Sequence, residues 1–333
     1  MGDLVVTGGL GFIGSNFIHH IIETRTDLRV TNVDGEMMGS NIANARGLEK
    51  NRRYRLVKGD LSDYGFTRKI VKNAELIVNF AAQTHVDRSI AGPSPFFESN
   101  TRAAFNLFQS IKEEKIAKLV HISTDEVYGS ISSGSFTEES PLNPSSPYSA
   151  TKAAADLMAR AWSTTYNLPI ITLRCTNNFG PRQHPEKLIP KAIIRGLKGM
   201  DIPLYGGGQQ IRDWIYVMDF CTAIEIAMEK GRAGEVYNVS AGNELTNREV
   251  AERLLKQLKR STAKVVNVED RPGHDFRYSL DPKKFGKTFG WRPVHSFEDA
   301  LTLTIEWYQR NESWWQPLAT KKVLSKTPWK EQW

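Results

Sequence analysis

Cysteine and long apolar runs are both scarce in this chain of 333 residues. The two cysteines, Cys175 and Cys221, have no partners at metal-ligand spacing, so we expect no cysteine-based zinc site. Both are predicted to be reduced, buried thiols, as in a reducing compartment. No stretch of about 18 apolar residues occurs, which argues against a membrane span. The start, Met1-Gly2-Asp3, lacks the basic and apolar pattern of a secretory signal, so we predict a cytoplasmic protein.

A strong charge of one sign is also missing. The net charge is +7, from 44 basic and 37 acidic residues. The basic residues are spread along the chain and are not concentrated among aromatic residues on one face, so we predict no nucleic-acid partner. The modest basic excess favours an anionic small molecule, such as a nucleotide diphosphate, as substrate.

Strand and helix signals alternate through the first half of the chain. Short apolar strands are predicted at 3–7, 29–34, 53–59, 76–81, 118–123 and 170–174, with helices at 14–23, 101–114 and 148–166. Repeated β-α units predict an α/β fold, a Rossmann-like doubly wound parallel sheet with helices on both faces. We predict a first domain over 1–176, which also receives elements from about 210–240.

The pattern becomes irregular from about Asn177. Helices are predicted at 217–230, 246–258 and 297–309, and strands at 235–239 and 264–268, between glycine and proline breaks. Thr246 or Asn247 is a candidate cap for the second of these helices. We therefore predict a second, smaller mixed α/β domain over 177–333, and find no periodicity in its tail from Trp314 onward.

A glycine-rich segment, Thr7-Gly8-Gly9-Leu10-Gly11-Phe12-Ile13-Gly14, follows the first strand and opens a helix. Glycines at these places allow a tight turn and close approach to a pyrophosphate at the helix N-terminus. Alone, the segment also fits a turn that binds nothing. Asp34 ends the second strand, where it can accept hydrogen bonds from an adenine ribose, and its charge favours NAD over NADP. Arg46 leaves NADP open as an alternative.

Tyr148 and Lys152 lie four residues apart at the start of a predicted helix, so their side chains share one face. An ammonium beside a phenol is expected to lower the tyrosine pKa, which would let Tyr148 take a proton from a sugar hydroxyl. The spacing by itself is common on amphipathic helices. Its position after the strand that ends in Ser123-Thr124-Asp125-Glu126 makes it informative, because ligands bind at that edge of a doubly wound sheet.

The chain resembles the extended short-chain dehydrogenases/reductases and, within them, is similar to the dTDP-glucose 4,6-dehydratases. The resemblance covers nearly the whole chain and is carried by the glycine segment 7–15 and by 81–90 (AAQTHVDRSI), 123–129 (STDEVYG), 147–152 (PYSATK), 177–181 (NNFGP), 185–190 (PEKLIP), 212–217 (RDWIYV) and 271–275 (RPGHD). It implies an NAD-binding first domain, a second domain that mainly binds the nucleotide sugar, and a homodimer built on a four-helix bundle.

The adjacent pair Asp125-Glu126 is the most discriminating part of the resemblance, since sugar-nucleotide epimerases usually carry small residues there. The resemblance implies that Tyr148, helped by Thr124, assists oxidation at C4 of the sugar. Glu126 then removes the C5 proton while Asp125 protonates the departing C6 oxygen. Two neighbouring carboxyls suit this work because burial and mutual repulsion separate their pKa values. A solvated or helix-capping acidic pair is the alternative.

The predicted site residues fall into three groups. The predicted catalytic residues are Thr124, Asp125, Glu126, Tyr148 and Lys152. The predicted cofactor-binding residues are Gly8, Gly11, Phe12, Ile13, Gly14, Asp34, Asp60, Leu61, Phe80, Ala81, Ala82, Tyr148 and Lys152. The predicted substrate-binding residues are His85, Thr124, Asn177, Lys187, Leu188, Arg212, Asn238, Arg271 and His274. No metal is predicted, His85 also fits a packed histidine, and Arg271 also fits a residue that fixes a loop.

The resemblance implies a lyase that dehydrates a nucleoside-diphosphate glucose to a 4-keto-6-deoxy sugar, with dTDP-glucose as the expected substrate and dTDP-rhamnose biosynthesis as the expected pathway. Departures at His184, at Phe276 and at 100–104 put the preference for thymine over uracil or cytosine in doubt. A sugar-nucleotide 4-epimerase, such as a UDP-glucose 4-epimerase, is the main alternative. A non-catalytic module that binds NAD or a nucleotide sugar is a third.

Overall fold

The computed structural model describes residues 2–72, 74–114, 116, 118–259 and 261–331. Its strands are β1 Gly2–Thr7, β2 Leu28–Asp34, β3 Tyr54–Lys58, β4 Leu76–Asn79, β5 Lys118–Thr124, β6 Ile170–Cys175, β7 Asn177–Phe179, β8 Ile202–Tyr205, β9 Ile211–Tyr216, β10 Val236–Val239, β11 Glu244–Thr246 and β12 Val265–Val268. Its helices are α1 Phe12–Thr24, α2 Tyr64–Val71, α3 Val86–Ala91, α4 Ser94–Phe96, α5 Ala103–Glu114, α6 Pro147–Tyr166, α7 Leu188–Leu197, α8 Val217–Lys230, α9 Asn247–Gln257, α10 Lys283–Phe289, α11 Phe297–Arg310 and α12 Glu312–Trp315.

Seven strands form one sheet in the order β10-β6-β5-β4-β1-β2-β3. Every neighbouring pair in it is parallel. The run Leu4-Val5-Val6 of β1 is buried, as expected for a strand that helices cover on both faces. The predicted doubly wound α/β fold is confirmed. The strand order reverses between β1 and β4, and the carboxyl ends of strands at such a point form the usual ligand crevice.

The region after Asn177 is more regular than its sequence predicts. Helix α7 has the sequence LIPKAIIRGL and was not predicted, because its proline and glycine are typical of breaks. Pro190 occupies the third helical position, where a backbone N–H has no acceptor within the helix, so the proline is tolerated there. Strands β7, β8 and β9 are three to six residues long, too short to give a clear period.

The start of one helix and the presence of another differ from the sequence prediction. Residues Phe97–Arg102 form a π-helical segment, so the helix predicted from Thr101 becomes α-helical only at Ala103. Helix α2 was missed, although Asp63 caps it by accepting a hydrogen bond from the Phe66 N–H at 3.0 Å. For α9, the cap is Thr246, which accepts from the Glu249 N–H in a capping box.

Elements from the second half of the chain return to the large sheet. Strand β10 pairs with β6, and α8 packs against α1. The other strands form a three-stranded sheet, β11-β9-β7, and a two-stranded sheet, β12-β8. One apolar cluster includes residues of both halves, from Leu4 to Leu324. Because this core is shared, the domain boundary at 176 stays a prediction.

Cys175 and Cys221 are both free and buried, and burial raises the pKa of each thiol. None of the described helices has the length and apolar character needed to cross a bilayer.

Candidate active site

The glycine segment makes a close turn between β1 and α1. Gly8 has φ +70°, and a Cβ atom there would lie 2.7 Å from the Ala81 backbone nitrogen. A Cβ on Gly14 would lie 2.5 Å from the Gly8 carbonyl oxygen. Any side chain at either position would therefore collide with backbone. The turn places the N-terminus of α1, with Gly11 before its first residue, beside a cavity of about 310 Å³.

Asp34 ends β2 and lines the same cavity. Its carboxylate accepts hydrogen bonds from the N–H groups of Leu10 at 2.9 Å and Glu36 at 2.8 Å, and from the Ser40 hydroxyl at 2.7 Å. Burial raises its pKa, and these three donors oppose the increase. The side chain is thus held in a fixed orientation at the mouth of the glycine turn.

All of the predicted cofactor-binding residues line this larger cavity, and so do Thr124, Asp125 and Glu126. A second cavity of about 160 Å³ adjoins it. Both cavities are lined by His85, Glu126, Asn177, Lys187 and Leu188, so these side chains form a wall that the two share. We call the larger one, which ends at the acidic pair, the inner cavity and the smaller one the outer cavity.

The acidic pair follows the carboxyl end of β5. A short 3-10 turn, Asp125–Tyr128, begins there, and Thr124 caps it by accepting from the Glu126 N–H at 3.3 Å. The Thr124 hydroxyl also donates to Asp125 Oδ1 at 3.0 Å. Within the described part of the chain, Asp125 Oδ2 is buried without a hydrogen-bond partner.

Both carboxyls have raised pKa values, with burial as the main cause. Burial, followed by repulsion from Glu126, raises the pKa of Asp125 to about 8. The pKa of Glu126 is raised by burial, while Lys187, Arg271 and Arg212 act against the increase. Asp125 is therefore a protonated acid near neutral pH, and Glu126 is the carboxyl that the surrounding cations favour as a carboxylate.

Tyr148 and Lys152 lie in the first turns of α6, which Ser146 opens with a capping box. Lys152 Nζ donates to the Ile122 carbonyl at 2.7 Å. The prediction that the tyrosine pKa is lowered was wrong for this structure. Burial and then repulsion from Glu126 raise the pKa of Tyr148 well above its usual value. Burial also lowers the pKa of Lys152, which Asp156 opposes.

The outer cavity is lined by cations that have fixed partners. Arg271 Nη1 lies 2.7 Å from Asp87 Oδ1, and Arg271 Nε is buried with no hydrogen-bond partner among the described residues. Arg212 donates to the carbonyls of Ile211, Asp275 and Phe276, and its guanidinium lies 4.0 Å from the centre of the Tyr278 ring. These contacts orient two guanidinium groups toward one space, an arrangement suited to phosphate oxygens.

Two predicted histidines of the site are neutral at physiological pH. His85 is buried, and burial followed by nearby Lys187 lowers its pKa well below the usual value. His274 contacts Asp270 at 2.6 Å, yet burial lowers its pKa to about 4. His85 also lies near His184 and Glu186, whose ligand atoms are close enough to hold a metal ion. Arg88 already pairs with Glu186, and two lysines stand nearby, so this charge pattern disfavours a cation.

Asn238 differs from the other predicted substrate-binding residues because it lines neither cavity. Its side chain accepts from the Tyr128 hydroxyl at 2.9 Å and donates to the Phe136 carbonyl at 3.0 Å. It is a fully buried residue of β10 itself, so we do not assign it to the substrate.

Asn247 and Tyr205 line the outer cavity but are not among the substrate-binding residues predicted from the sequence. Asn247 Oδ1 is buried without a hydrogen-bond partner in the described residues. Asn247 was considered only as a helix cap, although the preceding Thr246 fills that role. Because Thr246 already caps the helix, the side chain of the adjacent Asn247 is free for another role, and this was the signal in the sequence. Tyr205 ends a four-residue strand, and no sequence signal points to its place in the cavity.

Enzymes that use a bound dinucleotide place their reacting groups where the strand order of a parallel sheet reverses, and this chain has that arrangement. The chain belongs to the family described as GDP-mannose 4,6 dehydratase, whose model matches residues 5–304. It is 43% identical to a dTDP-glucose 4,6-dehydratase of Streptomyces niveus over 329 residues, covering 98% of each chain. It is 45% identical to the low-salt glycan biosynthesis protein Agl12 of Haloferax volcanii, covering 92% of this chain and 98% of that one.

Solved structures agree with this assignment. DesIV, a dTDP-glucose 4,6-dehydratase from Streptomyces venezuelae with NAD and TYD bound, is 46% identical with a TM-score of 0.92, covering 95% of this chain and 99% of that chain. A UDP-glucose 4-epimerase of Thermotoga maritima with UDP-glucose is 28% identical with a TM-score of 0.85, covering 93% and 99%. The fold is therefore common to dehydratases and epimerases and does not by itself distinguish them.

Proposed function

We propose that this chain is an NAD-dependent lyase that removes water from a nucleoside-diphosphate glucose, dTDP-glucose, to give the 4-keto-6-deoxy sugar. The observation that carries the proposal is the acidic pair, the buried Asp125 and the partly buried Glu126, in one cavity with Tyr148. Names of the close relatives support the same reaction. An epimerase needs no acid for a leaving C6 oxygen, so a second carboxyl would have no role in it.

The residues of the inner cavity fit NAD. The backbone at Gly8 and Gly14 has no room for a Cβ atom, and the N-terminus of α1 offers N–H groups to phosphate oxygens. Asp34 is placed to bind the adenine ribose, and Phe80, Ala81 and Ala82 line the wall beyond it. NAD held by these residues would supply reversible hydride transfer, from C4 of the sugar and back to C6. The negative charge of Asp34 disfavours the additional phosphate of NADP.

The residues of the acidic pair divide the proton transfers between them. Tyr148 must be a phenolate to take the proton of the C4 hydroxyl; burial disfavours this form, while the side-chain hydrogen bond with Thr124 favours it, as would the positive charge of an oxidised nicotinamide in the same cavity. The resulting ketone makes the C5 hydrogen acidic; Glu126 removes this proton as the C6 oxygen leaves and returns it to C5 when hydride enters at C6. Asp125 holds a proton because its pKa is about 8, and it gives that proton to the departing C6 oxygen. Lys152, whose ammonium donates to the Ile122 carbonyl, lines the same cavity as Tyr148.

The outer cavity supplies the groups that hold the nucleotide diphosphate. Arg212 and Arg271 face the diphosphate, while Asn177, Lys187 and Leu188 line the passage toward the sugar. His85 and His274 are neutral and provide hydrogen-bonding rings at this wall. The preference for thymine remains part of the proposal.

The proposal extends to the assembly. Phe105 of α5 and Leu157 and Tyr166 of α6 are apolar side chains exposed by 42%, 57% and 44%. Two such helices from each of two copies would bury these side chains in a four-helix bundle. Leu157→Asp should convert a dimer to a monomer in sedimentation experiments. Leu303→Asp is the matched control, because this leucine is 43% exposed on α11, and an equal effect of both changes would contradict the interface.

The proposed location is the cytoplasm, and the proposed pathway is dTDP-rhamnose biosynthesis. Two free, buried cysteines suit a reducing compartment. Fractionation of producing cells tests the location. Conversion of the product to dTDP-rhamnose by added epimerase and reductase tests the pathway.

Incubation with dTDP-glucose and NAD tests the reaction. The expected product has lost one water by mass and develops an ultraviolet absorbance in alkali. A product of unchanged mass with an inverted C4 centre would instead identify an epimerase, and NAD binding without turnover of any nucleotide sugar would identify a binding module. A parallel series with UDP-glucose, CDP-glucose and GDP-mannose tests the base, and faster turnover of any of these would contradict the choice of thymine.

A further inference from the structure

The last described residues, 320–331, pack along the outside of the outer cavity, and we call them the C-terminal strap. Val323, Leu324, Pro328 and Trp329 of the strap are buried. The strap lies beyond residue 304, where the match to the family ends. The reaction described above assigns the strap no role.

The strap first contacts one face of α7. Lys191 and Arg195 lie four residues apart on that helix, so they share a face. Lys191 Nζ donates to the Ser325 carbonyl at 3.3 Å, and Arg195 Nη1 donates to the Leu324 carbonyl at 2.7 Å. Lys191 also lines the outer cavity. Successive carbonyls of the strap thus hold α7 and the ammonium that α7 presents to the ligand.

The strap makes a second contact through Trp329. Its ring lies edge-on to the ring of Tyr205, with centroids 4.6 Å apart and an interplanar angle of 81°. The His274 ring also lies 6.2 Å from that of Tyr205. The Tyr205 hydroxyl is 3.4 Å from Asp87 Oδ2, and the other oxygen of this carboxylate holds Arg271. Trp329 therefore supports an aromatic wall that is connected to an arginine facing the diphosphate.

We propose that Trp329 is a positioning residue for nucleotide binding: it fixes the Tyr205 ring as a wall of the outer cavity, so that the strap sets the affinity for the nucleoside-diphosphate part of the substrate. The inference rests on the proposed function for the class of ligand. It assigns Trp329 no part in the proton transfers, which occur in the inner cavity. A change at Trp329 should accordingly affect KM and leave kcat nearly unaltered.

The test compares Trp329→Ala with Trp329→Phe, using dTDP as the binding probe and dTDP-glucose as the substrate. Loss of an edge-to-face aromatic contact should raise the dTDP dissociation constant and KM by about 10-fold, with kcat within about twofold of wild type. Trp329→Phe keeps a ring and should recover most of the affinity. Trp307→Phe, in a tryptophan that packs on Trp314 away from both cavities, is the matched control and should leave dTDP affinity unchanged.

Hydrogen exchange in the wild-type chain gives a measurement that does not depend on the folding of a variant. Binding of dTDP should slow exchange of backbone amides in 320–331, and equal exchange with and without dTDP overturns the inference. Unchanged dTDP affinity in Trp329→Ala overturns it as well. Failure of wild-type protein to convert dTDP-glucose contradicts the proposed reaction instead, and the dTDP affinities still decide the role of Trp329.

Discussion

The charged side chains of the inner and outer cavities differ in whether they have partners of opposite charge. In the inner cavity, Asp125 accepts a hydrogen bond from the Thr124 hydroxyl, and burial raises the pKa of Asp125 to about 8. In the outer cavity, Arg271 pairs with Asp87, and Arg212 is held by three carbonyls. A carboxyl without a paired cation readily changes its protonation state, whereas a guanidinium with fixed partners keeps both its charge and its direction.

This difference assigns proton transfer to the inner cavity and ligand binding mainly to the outer cavity beside it. Proton transfer requires groups whose pKa lies near the working pH. Burial of a carboxyl without a paired cation raises its pKa into that range. Recognition of a diphosphate requires donors of constant charge. Guanidinium groups that are bonded to carboxylates and carbonyls keep their charge and their orientation. Changes in the inner cavity should therefore lower kcat, and changes in the outer cavity should raise KM.

The largest expected effect follows from Tyr148→Phe. Loss of the hydroxyl removes the group that accepts the C4 proton, so kcat should fall by roughly 10³-fold. The dTDP dissociation constant, measured by calorimetry, should stay unchanged because the outer cavity is intact. Tyr64→Phe, at an exposed tyrosine bonded to Glu113, is the control. A kcat close to wild type in Tyr148→Phe would remove the tyrosine from its proposed role.

Asp125→Asn should slow turnover by about 10²-fold, because an amide has no acidic proton to give to the departing C6 oxygen. Oxidation at C4 does not need this proton, so the near-ultraviolet absorbance of reduced cofactor should build up on the enzyme. The control is Asp219→Asn, at a buried aspartate that accepts from the N–H groups of Val294 and His295 outside both cavities. Turnover at the wild-type rate in Asp125→Asn would be incompatible with its role as the acid.

Arg271→Gln should raise KM by roughly 30-fold, because a hydrogen bond to a charged group is lost in the outer cavity, and should lower kcat by a smaller factor, because Arg271 also favours the carboxylate form of Glu126. Steady-state kinetics with dTDP-glucose measure both parameters. Arg277→Gln is the matched control, since Arg277 pairs with Glu244 and lines neither cavity. A fall in kcat at unchanged KM would mean that the two cavities do not divide the work as proposed.

The smallest effect concerns pH. Asp125 must carry its proton, and because its pKa is raised to about 8, the active acid is present below that pH and lost above it. Above pH 8, kcat/KM should fall by about tenfold per pH unit, as for a single ionisation. The pH profile of Asp125→Asn should lack this decline, and a decline that persists in the variant would have to come from another group.

How much of the site the sequence predicts depends on how the residues are brought together. Gly8, Asp34 and Asp125 each follow a strand of a parallel sheet, so their meeting at one edge follows from the fold. The roles of Asn238 and Asn247 could not be distinguished in this way, because each is near a strand of the second half and only packing shows which one faces the cavity. The error about the Tyr148 pKa has a similar origin, since spacing places Lys152 nearby but does not show the depth of burial.

The return of β10 to the edge of the large sheet has a consequence for synthesis of the chain. Its residues Val236–Val239 pair with Thr172–Cys175 of β6 and cover that edge. A nascent chain that ends before β10 would leave the fully buried strand β6 with an unpaired edge, which favours association with other chains. The polypeptide must therefore emerge from the ribosome beyond Val239 before its nucleotide-binding half is protected from aggregation.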